Sequence, residues 1–132
     1  LPERDGILAG LYLIDLVAAT GKRPSELVRE LFELVGPHYY RRIDVEMDEA
    51  ARQEVRARLD AANPAELAGR PVRGKDTTDG WRFFLDEGWL LLRMSGTEPL
   101  VRVYTEVRDE RLVEPLLEAG LELAGLRQAA SH

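Results

Sequence analysis

Residues 80–107 read GWRFFLDEGWLLLRMSGTEPLVRVYTEV, in which three largely apolar runs are separated by short turn-forming segments. Asp86-Glu87-Gly88 has the length of a β-hairpin turn, and it separates the run at 80–85 from the run at 89–93. The third run, 99–107, alternates apolar with polar residues, which is the period of a half-buried strand. This stretch therefore predicts a set of antiparallel strands.

The first 36 residues predict a pair of helices. Asp5 can cap a helix that runs to about Thr20, and the apolar residues of this helix cover nearly its whole circumference. A helix of that kind needs burial on more than one side. Ser25 can cap a second helix, which Gly36-Pro37 would end.

The part of the chain after Pro37 mixes strands with helices. Besides the strands within 80–107, four elements are predicted: a strand over 38–47, a helix from Asp48 to about Ala62, a strand containing Val72, and a final helix over about 109–126. This order predicts an α+β fold, an antiparallel sheet with helices packed on one face. We place a domain boundary between the segments 1–36 and 37–132.

Composition narrows the classes of function. The 132 residues suffice for one main core, and 18 basic against 24 acidic residues give a net charge of −6. That charge opposes binding to nucleic acid or to anionic membranes, so neither is expected as a partner. There is no cysteine, and the most apolar run, 7–19, is too short to span a membrane and contains Asp15. We expect a cytoplasmic protein without a metal site of its own.

The loop between the strands that end at Arg93 and lead to Arg102 carries the chemistry. Gly96 lets successive backbone N–H groups point towards one anion, and the Ser95 and Thr97 hydroxyls can donate to phosphate oxygens. Two arginines at the strand ends can supply planar, permanently charged donors that match a phosphate. From composition alone, an ordinary hairpin loop of common turn-forming residues explains the segment equally well.

The pattern Arg-x-Ser-Gly-Thr-Glu-Pro-x-x-Arg-x-Tyr-x-Glu, from Arg93 to Glu106, closely resembles the phosphate-binding loop in the last domain of the α-D-phosphohexomutase superfamily. That superfamily includes phosphoglucomutases, phosphomannomutases and phosphoglucosamine mutases. Asp79-Gly80 and the segment 3–7 also resemble family landmarks. The resemblance implies a fourth domain similar in fold to the TATA-binding protein at 37–132, and the helical end of a third domain with a hinge at 1–36.

The resemblance further implies an isomerase of carbohydrate metabolism. Its full-length form would be an intramolecular phosphotransferase that moves a phosphoryl group between the C1 and C6 hydroxyls of a hexose. The phosphoserine and the Mg²⁺ of that reaction would lie in the first two domains, so this fragment alone is expected to be inactive, with no catalytic residue and no bound metal. A competing interpretation is a stand-alone phosphate-ligand binding or interaction module of similar fold without catalysis.

The resemblance also assigns the sites and partners of this fragment. It assigns substrate phosphate contacts to Arg93, Ser95, Gly96, Thr97 and Arg102. Glu98 is expected to pair with an arginine or to face a sugar hydroxyl. The partners are then the sugar phosphate and the upstream domains 1–3 of the same polypeptide. The fragment is expected to self-associate or to pack its first helix against neighbours.

Overall fold

The structure is a computed structural model that describes residues 5–126, and these divide after Pro37 into two compact units. Helix α1, Gly6–Thr20, begins as predicted because the Asp5 carboxylate accepts the Leu8 N–H at 2.9 Å. It ends at Gly21, whose φ of 65° is the left-handed conformation that glycine adopts without strain. None of the residues in α1 is buried.

Helix α2, Pro24–Val35, begins earlier than predicted. The prediction that Ser25 caps it is wrong, because Pro24 takes the first helical position, where its missing N–H needs no partner. The N–H of Arg23, the capping residue, donates to the Glu26 carboxylate at 2.8 Å. No residue of α2 is buried either.

The second unit is built around a five-stranded antiparallel sheet. Its elements in chain order are β1 (Tyr39–Glu46), α3 (Glu49–Ala61), β2 (Glu66–Leu67), β3 (Arg70–Pro71), β4 (Gly74–Asp76), β5 (Trp81–Leu85), β6 (Gly88–Met94), β7 (Leu100–Val107), a 3₁₀ turn (Glu110–Leu112) and α4 (Val113–Ala124). The sheet order is β1-β7-β6-β5-β4, and β2 pairs with β3 separately. The predicted α+β fold is therefore confirmed. Val72 lies between β3 and β4 rather than in a strand, so that prediction is wrong.

The core of this unit lies between one face of the sheet and helices α3 and α4. Alternate residues of the strands point to that face, and Phe83, Leu90, Leu92 and Val103 are fully buried there. The helices contribute buried residues to the same cluster: Val55, Leu59, Leu116, Leu117 and Leu121. Helices on one face of the sheet are thus confirmed.

Two local features fix the helices against the sheet. A side chain at Gly120 in α4 would place its Cβ 2.8 Å from Cγ1 of Val103, so glycine is what permits this close approach. The Lys75 ammonium in β4 donates to the carbonyls of Leu59, Asp60 and Ala62 at 2.8, 3.1 and 2.7 Å. These bonds satisfy carbonyls at the carboxyl end of α3 and tie that end to the sheet.

Among residues 5–126, no helix combines the length and the apolarity that crossing a membrane would require.

Candidate functional site

The loop of residues 95–99 joins β6 to β7 and is held by its own hydrogen bonds. The Ser95 N–H donates to the Leu100 carbonyl at 2.9 Å, and the Leu100 N–H donates to the Glu98 carbonyl at 2.8 Å. The Ser95 hydroxyl accepts the Glu98 N–H at 3.2 Å, and Ser95 is only 3% exposed. The segment is therefore a shaped loop whose serine is already engaged within it.

Helix α3 also fixes this loop, through the side chain of Arg52. The Arg52 guanidinium donates to the carbonyl of Glu98 at 3.0 Å and to the carbonyl of Ser95 at 3.2 Å. The Asp48 carboxylate accepts the Ala51 N–H at 2.8 Å, which fixes the start of the helix that carries Arg52. One side chain thus anchors both ends of the loop through bonds that its positive charge strengthens.

The two arginines of the loop motif lie directly opposite each other on neighbouring strands, Arg93 on β6 and Arg102 on β7. Each has a carboxylate partner, because Arg93 Nε lies 3.1 Å from Asp79 and Arg102 donates to Glu98 at 2.7 Å. Desolvation lowers the pKa of Arg102, but hydrogen bonds to Tyr104 and Glu98 outweigh it, so the net pKa is raised. Arg102 therefore remains charged at neutral pH.

A polar cavity of about 480 Å³ lies beside this loop. Arg93 and Gly96 line it from the loop side, and Asp79 and Gly80 line it from the turn before β5. Thr97 is exposed, and neither Thr97 nor Arg102 lines the cavity. Of the sequence-predicted phosphate ligands, the structure thus brings Arg93 and Gly96 to one concave site.

Two arginines near the loop were missed by sequence reasoning. Arg52 contacts the loop carbonyls, and Arg56 lines the cavity together with Asp60. The four-residue spacing of these three residues predicts that they share one face of α3. Nothing local in the sequence indicates that this face meets a loop more than forty residues later, because that contact depends on how α3 packs against the sheet.

The described residues do not form a metal site. Within residues 5–126, no three His, Asp or Glu side chains lie close enough together to hold an ion. Two carboxylates beside the loop motif are engaged with arginines, Asp79 with Arg93 and Glu98 with Arg102.

Comparison with known proteins agrees with this architecture. A protein-family model described as "Phosphoglucomutase/phosphomannomutase, C-terminal domain" matches residues 43–122, more than half of the chain. The crystal structure of a putative phosphomannomutase from Thermus thermophilus is similar, with a TM-score of 0.66 and 37% sequence identity. That similarity covers 95% of this chain and 23% of the other.

Curated relatives point the same way. A phosphoglucomutase/phosphomannomutase of Thermococcus kodakarensis is 36% identical over 120 residues, which are 91% of this chain and 24% of the relative. A phosphoglucosamine mutase of Methanococcus maripaludis is 32% identical over 120 residues, 90% of this chain and 25% of the relative. The chain therefore spans about a quarter of the length of the curated relatives it matches.

The fold and the loop together define a domain of a sugar-phosphate isomerase family. The chain belongs to the phosphohexomutase family, whose C-terminal domain it matches. The full-length relatives are named as mutases, so the family is one of isomerases. The likeness to the TATA-binding protein stays a prediction.

Proposed function

We propose that this chain binds the non-reacting phosphate of a hexose phosphate, as the C-terminal domain of a phosphohexomutase that interconverts hexose 1-phosphate and hexose 6-phosphate. The observation that carries the proposal is that Arg93 and Gly96 line one polar cavity beside a loop fixed by internal hydrogen bonds. A preformed loop lowers the entropic cost of binding, since little has to be ordered when the ligand arrives.

Arg93 is the principal ligand in this proposal. Its pair with Asp79 is largely solvent-exposed, with side-chain exposures of 47% and 66%, and exposed pairs contribute little free energy. A phosphate monoester with about two negative charges can therefore replace Asp79 as the partner of the guanidinium. The N–H of Gly96 supplies a second donor without a side chain in between.

Ser95, Thr97 and Arg102 are proposed as further phosphate ligands. The exposed Thr97 hydroxyl can donate directly, whereas the buried Ser95 hydroxyl shapes the loop and keeps its own hydrogen free to donate. The Arg102 guanidinium is already paired with Glu98, so Arg102 would contribute positive charge at the edge of the phosphate site. Glu98 then serves the site by orienting Arg102.

The contribution of this chain to catalysis is positioning. Holding one phosphate fixes the sugar, so that the hydroxyl at the other end of the hexose meets the reacting group in a defined orientation. Ser95 is not proposed as a nucleophile, and no catalytic residue is assigned here. The Mg²⁺ implied by the family resemblance would be bound outside the described residues, which contain no suitable cluster.

The longer polypeptide is the second partner in this proposal. Segment 1–36 would be the helical end of domain 3, and 37–132 would be domain 4, acting together with upstream domains in the cytoplasm. Gly36, whose φ is 86°, follows α2 at the junction of the two units and is a candidate hinge. Closure about such a hinge would bring the loop onto the substrate.

Kinetics of the full-length protein test the function. Glucose, mannose and glucosamine 1-phosphates are supplied separately, and formation of each 6-phosphate is measured. We expect turnover of at least one sugar by the full-length protein and none by the 132-residue chain alone. Turnover by the chain alone, or of none of the three sugars by the full-length protein, would contradict the proposal.

A further inference from the structure

One stripe of α3 faces the candidate site through three polar residues spaced four apart, Arg52, Arg56 and Asp60. The two outer members have fixed partners. Arg52 donates to the loop carbonyls at 3.0 and 3.2 Å, and Asp60 accepts the indole N–H of Trp81 at 2.8 Å. The central residue, Arg56, lines the cavity between them.

Arg56 stands apart from the other arginines of the site in its partners. Arg93 pairs with Asp79 and Arg102 pairs with Glu98, whereas the guanidinium of Arg56 has no hydrogen bond or ion pair within residues 5–126. Its guanidinium carbon lies 6.0 Å from the centroid of the Trp81 ring, and its side chain is open to solvent. The donors of this guanidinium are therefore available to a ligand.

The ring under Arg56 is rigidly placed. Trp81 is only 6% exposed, and its indole N–H is held by Asp60. A cation resting on a fixed aromatic face keeps its direction while its N–H groups remain unused, because the cation–π attraction acts on the face of the guanidinium. The ring thus holds Arg56 at the cavity that Arg93 and Gly96 also line.

We propose that Arg56 is a third arginine of the phosphate site, donating from α3 to the same sugar phosphate that Arg93 and Gly96 bind. The proposal rests on the proposed function and deepens it. It places the phosphate in the cavity between α3 and the loop, so that the anion is held by the helix as well as by the loop motif. Asp60 is hydrogen-bonded to Trp81 and does not pair with Arg56, so it offsets only part of the positive charge that the arginines bring to the cavity.

The test is a titration of the 132-residue chain with glucose 6-phosphate, followed by two-dimensional NMR, with glucose as the control for phosphate dependence. We expect Arg56→Gln to raise the dissociation constant for glucose 6-phosphate by about tenfold, the effect of losing one charge-assisted hydrogen bond. The Trp81 indole resonance should shift during the titration. Arg58→Gln is the matched control, since Arg58 lies on α3 but pairs with Glu54 outside the cavity, and it should leave the constant unchanged.

The variants separate the two proposals. If Arg93→Gln weakens binding but Arg56→Gln does not, the inference about Arg56 is overturned while the proposed function stands. If the unsubstituted chain binds no glucose 6-phosphate, or if Arg93→Gln leaves binding unchanged, the proposed function itself is contradicted. Should Arg56→Gln fail to fold, Arg56→Lys decides: it keeps the charge but loses the planar donor set, so binding should weaken a few-fold, and an unchanged constant would overturn the inference.

Discussion

The helical pair, α1 and α2, and the sheet domain, residues 38–126, carry apolar side chains at similar density. They differ in how far those side chains are buried. In α1, Ile7 is 81% exposed and Ile14 is 67% exposed, whereas Phe83 and Leu92 in the sheet are fully buried. Between α1 and α2 runs an apolar groove of about 630 Å³, lined by residues such as Leu13 and Leu31. An apolar sequence pattern therefore predicts which side chains favour burial, but only tertiary packing determines whether they are buried.

The largest expected difference between the regions is in stability. Phe83→Ala in the sheet domain should lower the free energy of unfolding by about 3–5 kcal/mol, because the ring is fully buried and its loss leaves a cavity. Tyr12→Ala in α1, where the ring is 67% exposed, should change it by less than ~0.5 kcal/mol. Urea unfolding followed by tryptophan fluorescence measures this, since Trp81 and Trp89 both lie in the sheet domain. Equal effects of the two substitutions would contradict the contrast.

The exposed groove of the helical pair should drive association of the chain with itself. Leu31 lines the groove and is 52% exposed, so Leu31→Lys should shift the chain towards monomer in light scattering, because it places a charge on the apolar surface. Phe84→Lys alters an exposed apolar residue of the sheet domain instead, and should leave the association constant unchanged. An unsubstituted chain that is wholly monomeric would count against this prediction.

A smaller effect is expected on phosphate binding by the loop of residues 95–99, which should be sensitive to substitutions in α3 but not to substitutions in the helical pair. Arg52→Ala removes two hydrogen bonds to loop carbonyls, and we expect weaker binding of glucose 6-phosphate by about fivefold, or ~1 kcal/mol. Hydrogen exchange of the loop amides should rise as well. Arg29→Ala in α2 is the control and should alter neither quantity. Unchanged loop exchange in Arg52→Ala would show that the arginine does not position the loop.

The smallest expected effects concern two surface carboxylates, one in each region. Hydrogen bonds from the Arg23 side chain and backbone lower the pKa of Glu26, and the side-chain hydrogen bond from Arg73 lowers the pKa of Asp86. A carboxyl whose pKa is lowered in the folded state stabilises the fold at pH values above its ordinary pKa. That stabilisation is lost as the pH falls through the pKa of the folded state. The contribution of Glu26 should therefore fade below pH 4.5, its ordinary pKa, and that of Asp86 below pH 3.8.

Carboxyl NMR titrations of Arg23→Gln and Arg73→Gln measure the two shifts separately. Each substitution should return the pKa of its own partner, Glu26 or Asp86, towards the ordinary value and leave the pKa of the other unchanged. A pKa that does not move would mean that the hydrogen bond is not the cause of the shift.

The features that the sequence predicts best are those decided by neighbouring residues. Asp5 and Asp48 cap their helices because each carboxylate needs only a backbone N–H three residues ahead. The alternation in β7 predicts its core face because side chains along a strand point to opposite faces. Ser25 misled the prediction for α2, since Pro24 and Glu26 offer a start that competes with a serine cap.

The features that the sequence did not predict depend on packing between distant segments. The contact of Arg52 with the loop and the position of Arg56 over Trp81 follow from where α3 lies on the sheet. No periodicity encodes such a meeting of a helix face with a strand end. The family motif located the loop at Arg93 but could not indicate that α3 forms the other wall of the cavity.

Arg93 is the proposed ligand of the substrate phosphate, and its substitution tests the proposed function most directly. In the full-length protein, Arg93→Ala should lower kcat/KM by well over tenfold, more than ~1.4 kcal/mol of transition-state stabilisation. Arg111→Ala is the control, because Arg111 pairs with Asp109 away from the cavity, and it should leave kcat/KM unaltered. An unchanged kcat/KM in Arg93→Ala would contradict the account.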